Sequence, residues 1–125
     1  MSIKIYSCND SRGLRPMWTA EEMGVSYESE MMPFPPRFLH KEYMDVNILG
    51  TIPYLIDGDV EMTESVAMCQ YLVDLYGPTD LKVAIDEPDY HHYLNWLAHS
   101  DATLTFPQTV VLRYTFQEVG VADQA

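Results

Sequence analysis

Residues 53–77 read PYLIDGDVEMTESVAMCQYLVDLYG, and this stretch decides the fold. Two short apolar strands, 53–57 and 59–62, flank an Asp-Gly-Asp turn, which is a pattern typical of a β-hairpin. Apolar residues then recur at helical spacing from about residue 63 to residue 76, and a Gly-Pro pair ends the segment. We therefore expect a hairpin that is followed directly by a helix.

Upstream of the hairpin, the alternating residues 2–7 and 25–32 indicate two strands. The residues between them, 12–23, predict a helix that stops at Gly24. Four of its apolar residues are expected on one face: Leu14, Met17, Trp18 and Met23. A strand, a helix and a strand in this order imply parallel pairing through a right-handed crossover.

The connection between the second strand and the hairpin is rich in proline. Residues 33–37 (PFPPR) are predicted to be a loop, because three prolines in four positions suit neither a helix interior nor a central strand. A short helix over 38–46 and a turn over 47–51 follow. The complete order, βαβαββα, predicts an α/β domain with a mixed four-stranded sheet over residues 1–76.

Beyond residue 76 the composition changes. Residues 77–88 are rich in proline and acidic residues and are predicted to be a linker. Apolar spacing predicts a helix over 89–104, Pro107 is expected to interrupt it, and a further helix is expected over 108–119. We therefore expect a second, helical region to begin at residue 89.

The charge balance excludes two classes of partner. The 125 residues carry 7 basic and 19 acidic side chains, a net charge of −12, which argues against binding to nucleic acid or to an anionic membrane surface. No run of 18 apolar residues occurs, so we expect no membrane span. Local positive charge can still bind a small anion.

The cysteine and histidine patterns predict no metal site. Cys8 and Cys69 form no CxxC pair, and two thiols in such a chain are most simply reduced, which predicts a cytoplasmic protein. His91, His92 and His99 lack the one-turn spacing of a helical metal site.

Three segments carry side chains or backbone groups that could bind a ligand or take part in a reaction. The first is Ser11 with Arg12 and Arg15. A hydroxyl at a helix N-terminus beside cations can hydrogen-bond and stabilise a thiolate. The alternative is an ordinary N-cap serine with surface arginines.

The second segment is Glu64-Ser65, at the start of the predicted third helix. Free N–H groups and a hydroxyl there suit a carboxylate, while the Glu64 side chain can hold an ammonium group, so together they fit an amino-acid head group. The alternative is simple helix capping by Thr63 or Ser65.

The third segment is Ile52-Pro53, at the start of a strand. A proline there cannot donate to the sheet, and a cis bond before it would leave the Ile52 backbone open to an extended peptide ligand. The alternative is an ordinary trans proline after a turn.

The order and spacing of these segments resemble the N-terminal domain of the cytosolic glutathione transferase superfamily, in its serine-type, bacterial-like form. The specific matches are NILGTIPYL at 47–55, against N-P-x-G-x-[VI]-P-x-L, and ESVAMCQYL at 64–72, against E-S-x-A-I-x-x-Y-L. Residues 5–28 match the family's first strand and helix more loosely. The resemblance implies a thioredoxin-like, glutathione-binding domain over 1–76 and a truncated start of the family's helical domain over 89–125.

Carried over residue by residue, the resemblance implies the parts of a glutathione site. Pro53 falls on the family's cis-proline, and the backbone of Ile52 is expected to pair with the cysteinyl part of glutathione. Glu64 and Ser65 are expected to bind the γ-glutamyl head.

The resemblance also implies how the thiol is activated. Ser11 falls on the activating hydroxyl of the serine-type classes, in an S-x-x-x-R spacing with Arg15. Ser7 and Cys8 are nearby rivals for this role. Three further residues are candidates for contacts with glutathione: Arg15, Thr51 and Lys41.

The implied activity is conjugation of the glutathione thiolate to small apolar electrophiles, with glutathione as co-substrate and no other cofactor. Two alternatives stay open: a non-catalytic binding or assembly module of the same fold, and a glutathione-dependent thiol reductase that uses Cys8. Because most of the family's helical domain is missing, we expect exposed apolar surface that a homodimer covers.

Overall fold

The computed structural model describes residues 2–112 and 114–115, and the chain divides into two compact units, 1–82 and 83–125. The elements of the first unit are β1 (Ile3–Cys8), α1 (Leu14–Met23), β2 (Tyr27–Met32), α2 (Pro36–Leu39), a 3-10 helix (Lys41–Asp45), β3 (Tyr54–Asp57), β4 (Val60–Met62) and α3 (Ser65–Leu75). Those of the second are α4 (Tyr90–His99), a π-helical segment (Ser100–Thr105) and α5 (Phe106–Leu112).

The first unit contains a four-stranded sheet in the order β2-β1-β3-β4. The β1 and β2 strands are parallel, whereas β3 is antiparallel to both β1 and β4. The predicted mixed sheet and the order βαβαββα are therefore confirmed.

The strand β1, one of the two interior strands of the sheet, is buried on both faces. Its residues Ile3 and Ile5 pack on one face with a cluster from α1, β3 and α3: Ala20, Leu55, Met68 and Leu72. Its residues Tyr6 and Cys8 pack on the other face with Met32, Tyr43 and Tyr54. Alternation of side chains along the strand divides the core in this way.

The carboxylate of Asp57 fastens the hairpin to the end of α3. It is 6% exposed, and its Oδ2 accepts hydrogen bonds from the hydroxyl of Tyr71, at 2.9 Å, and from that of Tyr76. The hydrogen bond to Asp57, together with burial, raises the pKa of Tyr76 to about 12.

The first helix differs from its prediction at both its start and its apolar face. It begins at Leu14 with Gly13 at the N-cap, so the alternative reading of Ser11 as an N-cap serine is wrong. Pro16 is consequently the third residue of the helix, where its missing N–H would have had no intrahelical partner. Leu14 and Trp18 are 59% and 61% exposed, because the helix turns Pro16 and Ala20 towards the core instead.

Three further differences concern Pro36, the short helix after it, and Pro107. Pro36 was expected in a loop but is the first residue of α2, where proline is well tolerated. The helix expected over 38–46 is divided at His40, whose φ of −145° and ψ of 71° are not helical. Pro107 was expected to break the helical stretch of the second unit, but helical structure continues through it. It is the second residue of α5, which follows the π-helical segment directly.

The helix expected over 108–119 extends outside the described residues. Within the described residues, no helix is both long enough and apolar enough to cross a membrane.

Two glycines with positive φ allow a matched test of packing around the turn before β3. Gly24 (φ 67°) ends α1, and a Cβ there would meet nothing within 4 Å. Gly50 (φ 61°) is enclosed, because a Cβ there would lie 2.6 Å from the sulfur of Met44 and 2.9 Å from Cβ of Arg37.

We predict that Gly24→Ala lowers the free energy of unfolding by about 1–2 kcal/mol, the cost of a left-handed conformation for alanine. Gly50→Ala is predicted to cost about 1–3 kcal/mol more, because overpacking adds to that strain. Urea unfolding followed by circular dichroism measures both values. Equal losses in the two variants would contradict the close packing at Gly50.

Candidate functional site

The sheet brings the ends of three segments to one place. In the β1–β3 ladder Tyr6 faces Tyr54, and in the β3–β4 ladder Leu55 faces Met62. The carboxyl end of β1, the residues before β3 and the residues after β4 therefore lie at the same end of the sheet. The helices α1 and α3 both start from this end, so two helix N-termini with partial positive charge converge there.

Ser11 lies in the loop between β1 and α1 and is held by three hydrogen-bonding contacts. Its hydroxyl donates to the carbonyl oxygen of Cys8 at 2.7 Å and lies 3.2 Å from the hydroxyl oxygen of Ser7. The backbone N–H of Gly13 donates to the Ser11 oxygen at 3.3 Å. Ser11 thus organises the loop and does not cap the helix.

The two rivals of Ser11 are less accessible. Ser7 is 0% exposed. Cys8 is 2% exposed, its sulfur lies 3.7 Å from the carbonyl oxygen of Pro33, and burial raises the pKa of its thiol. Ser11 is only half-buried, so of the three groups it is the best placed to meet a ligand.

The start of α3 carries the predicted Glu64-Ser65 pair. Glu64 is the N-cap, but no side chain caps the helix, so the capping alternative is wrong. Ser65 is 6% exposed, and its hydroxyl accepts a hydrogen bond from Nη1 of Arg15 at 3.0 Å. The structure therefore brings together a guanidinium, a hydroxyl and the unpaired N–H groups of a helix N-terminus, which together suit a carboxylate.

The segment before β3 is held by two buried side chains. The Tyr43 hydroxyl donates to the carbonyl oxygen of Thr51 at 2.7 Å, and the Asn47 amide donates to the same oxygen at 3.0 Å. The Asn47 side-chain oxygen accepts from the N–H of Leu49 at 3.1 Å, which forms the turn. These bonds fix Thr51 and position the residues that follow it.

The peptide bond between Ile52 and Pro53 is cis. Pro53 is buried, and Ile52 is half-buried and lies outside the β1–β3 register, which ends at Tyr54. The Ile52 backbone therefore lies next to the sheet without belonging to its ladder.

Sequence reasoning missed the roles of Gly13 and Tyr43, and it placed Asn47 at the start of a turn without assigning bonds to its side chain. Asn47 had a recognisable signal, since an asparagine that starts a turn with glycine three residues later commonly bonds to its own backbone. Tyr43 had none, because its bond to Thr51 depends on the folded 3-10 helix.

Within residues 2–112, Lys41, His91 and His92 take part in none of the contacts given above. Lys41 is exposed at the start of the 3-10 helix, and over residues 2–112 no hydrogen bond or ion pair joins it to the site. The rings of His91 and His92 lie 3.9 Å apart, and within the described residues no three His, Cys, Asp or Glu side chains form a group that could hold a metal ion.

A comparison with protein families finds one family model, the glutathione S-transferase N-terminal domain, over residues 1–74. Glutathione S-transferase 3 of Schizosaccharomyces pombe is 29% identical over 102 residues, which are 82% of this chain and 42% of the yeast protein. Human glutathione S-transferase theta-2 is 39% identical over 67 residues, 49% of this chain and 25% of the human protein. The chain thus spans less than half the length of these relatives.

Solved structures share the fold. A glutathione S-transferase from Actinobacillus pleuropneumoniae aligns with a TM-score of 0.75 and 26% identity, over 98% of this chain and 58% of that one. The glutathione transferase URE2P8 of Phanerochaete chrysosporium, with oxidised glutathione, gives 0.77 and 24% identity, over 93% and 55% of the two chains. These likenesses confirm the predicted thioredoxin-like arrangement of sheet and helices.

The burial of Cys8 leads to a prediction about its reactivity. In a Cys69→Ala variant, where Cys8 is the only thiol, we expect slow alkylation by iodoacetamide, with a pH midpoint above the ordinary value of 9.0 because burial disfavours the thiolate. Mass spectrometry over a pH series measures the rate. A midpoint below 9.0 would contradict this environment and would favour Cys8 as a nucleophile.

Proposed function

The chain belongs to the glutathione S-transferase family, and from this premise we propose that residues 1–82 bind glutathione and stabilise its thiolate for attack on a small apolar electrophile. Glutathione is the co-substrate of the family, and no other cofactor is required. The single observation that carries the proposal is the 3.0 Å contact between Arg15 and Ser65 at the N-terminus of α3.

That contact supports binding of the γ-glutamyl head. A guanidinium and a helix N-terminus each favour an anion, so a site that combines them suits a carboxylate. The α-carboxylate of the γ-glutamyl group meets this requirement, with the Ser65 hydroxyl as a further hydrogen-bonding partner. The exposed carboxylate of Glu64 lies beside it for the α-ammonium group.

The cysteinyl part of glutathione is an extended peptide, and the Ile52 backbone is the proposed partner. Extended ligands add to backbone that lies outside a sheet ladder. Ile52 occupies such a position, next to Pro53 and after the anchored Thr51. We propose Thr51 and Lys41 for weaker contacts with the remainder of the peptide.

The Ser11 hydroxyl is the proposed group for thiol activation. A neutral hydroxyl stabilises a thiolate by donating a hydrogen bond, which lowers the thiol pKa, and the thiol proton leaves to solvent. The sulfur lone pair then forms a bond to the electrophilic carbon. In a substitution, the leaving group departs with the bonding electron pair.

Two alternatives differ in their support. The thiol reductase reading needs a reactive Cys8, and the burial of that thiol argues against it. The non-catalytic module reading keeps the same glutathione site without turnover. We also propose a cytoplasmic location, since both cysteines are free. We propose a homodimer because the first unit has large apolar side chains that are more than half exposed, among them Phe34, Phe38, Ile48 and Leu49.

Calorimetric titration with reduced glutathione tests the head-group site. We predict that the wild-type chain binds in the micromolar to millimolar range, and that Ser65→Ala weakens binding by about 10-fold, because a charge-assisted bonding partner is lost. Ser29→Ala, on the edge strand β2, is the matched control and should keep wild-type affinity. No binding at several millimolar would contradict the proposed function.

A glutathione analogue without the α-amino group isolates Glu64. We predict that Glu64→Gln weakens glutathione binding severalfold but leaves binding of the analogue unchanged, because the only charge that Glu64 is proposed to meet is then absent. An equal loss for both ligands would contradict the assignment of Glu64 to the ammonium group.

A further inference from the structure

The proposed chemistry leaves one buried hydroxyl beside Ser11 without a role. Ser7 is 0% exposed at the end of β1, and its oxygen lies 3.2 Å from the Ser11 oxygen. It also lies 3.3 Å from the carbonyl oxygen of Cys8, the same acceptor to which Ser11 donates at 2.7 Å. Ser7 and Ser11 therefore share one acceptor and contact each other.

The arrangement matters because Ser11 has only one hydroxyl proton to donate. A serine hydroxyl has one proton to donate and two lone pairs to accept with. In the structure the Ser11 proton is directed to the Cys8 carbonyl. To stabilise a thiolate, Ser11 must withdraw that proton from Cys8, which leaves a carbonyl in a buried residue without its nearest donor.

We propose that Ser7 is a positioning residue that frees the Ser11 proton for the ligand thiolate. When Ser11 turns its proton to the sulfur, the Ser7 hydroxyl supplies the hydrogen bond that the Cys8 carbonyl loses. The Gly13 N–H continues to donate to the Ser11 oxygen, which holds that oxygen in place and strengthens Ser11 as a donor. No covalent bond changes, and each proton stays on its own serine.

Gly13 is the second part of this arrangement, because it makes room for Ser7. A Cβ at position 13 would lie 1.7 Å from the Ser7 oxygen and 2.6 Å from its Cβ, distances at which the serine side chain must move. The φ of Gly13 is −60°, so an alanine there meets no backbone strain. Glycine is therefore needed at position 13 to leave space for the Ser7 side chain, and not to allow an unusual backbone conformation.

This inference rests on the proposed function, and the pKa of the bound glutathione thiol tests it. The pKa is read from the ultraviolet absorbance of the thiolate at saturating glutathione. We predict that Ser7→Ala lowers the thiolate fraction about threefold to tenfold at a pH below that pKa, the effect of one hydrogen bond. Affinity for S-methylglutathione, which carries no thiolate, should change less than twofold. The charged neighbours Asp10, Arg12 and Arg15 are the same in all variants.

Two further variants separate positioning from a general structural effect. In a Ser11→Ala background, Ser7→Ala should cause no further change in the thiol pKa, because Ser7 acts only through Ser11. Ser29→Ala is the control, since it removes a serine hydroxyl from the exposed face of the edge strand β2, three residues before the strand ends. It should leave the thiol pKa unchanged.

A measurement without ligand tests the contact itself. Gly13→Ala should lower the unfolding temperature in the wild-type chain and lower it less in a Ser7→Gly background, where both atoms nearest to the new Cβ are gone. Equal effects in both backgrounds would overturn the packing of Ser7 against Gly13.

The outcomes distinguish the two proposals. A wild-type thiol pKa lowered from that of free glutathione, but unchanged in Ser7→Ala or shifted additively with Ser11→Ala, overturns the role of Ser7 and leaves the proposed function standing. A wild-type thiol pKa equal to that of free glutathione overturns both.

Discussion

The antiparallel pairing of β3 with β1, in which Tyr6 faces Tyr54, is the constraint on which the rest of the site depends. Because β3 is antiparallel to β1, the start of β3 lies beside the carboxyl end of β1. The strand β4 is antiparallel to β3, so the end of β4 lies at this same end of the sheet. The loop with Ser11 and the start of α3 are neighbours for this reason. Burial of both faces of β1 stabilises the pairing, at about 25 cal/mol for each Å² of apolar surface removed from water.

Local charge at the site opposes the charge of the whole chain. The net charge is −12, yet two helix N-termini and the Arg15 guanidinium converge at one end of the sheet. Short distances and partial burial let these groups act strongly on a small anion, whereas the scattered surface carboxylates are screened by water and salt. An acidic chain can therefore still offer a site that suits a small anion, which is what the proposed binding of glutathione requires.

Local patterns in the sequence predicted every strand of the sheet and the places of most helices, because alternation and apolar spacing are properties of short segments. They failed where contacts between residues distant in the sequence, or the folded path of a loop, determine what a side chain bonds to. Residue type left a helix cap open as one reading of Ser11, but the helix begins at Leu14 and Ser11 bonds to the Cys8 carbonyl instead. Likewise, no local pattern reveals that the Tyr43 hydroxyl holds Thr51, or that Gly13 makes room for Ser7.

Membership of the glutathione S-transferase family rests on residues 1–74, and the chain spans 42% of the length of its fission yeast relative. The most direct test is a crystal structure of this chain with reduced glutathione. We predict the γ-glutamyl carboxylate at Ser65 and Arg15, and the sulfur within hydrogen-bond distance of the Ser11 hydroxyl. Glutathione bound elsewhere, or bound at Ser65 with its sulfur away from Ser11, would contradict the proposed site.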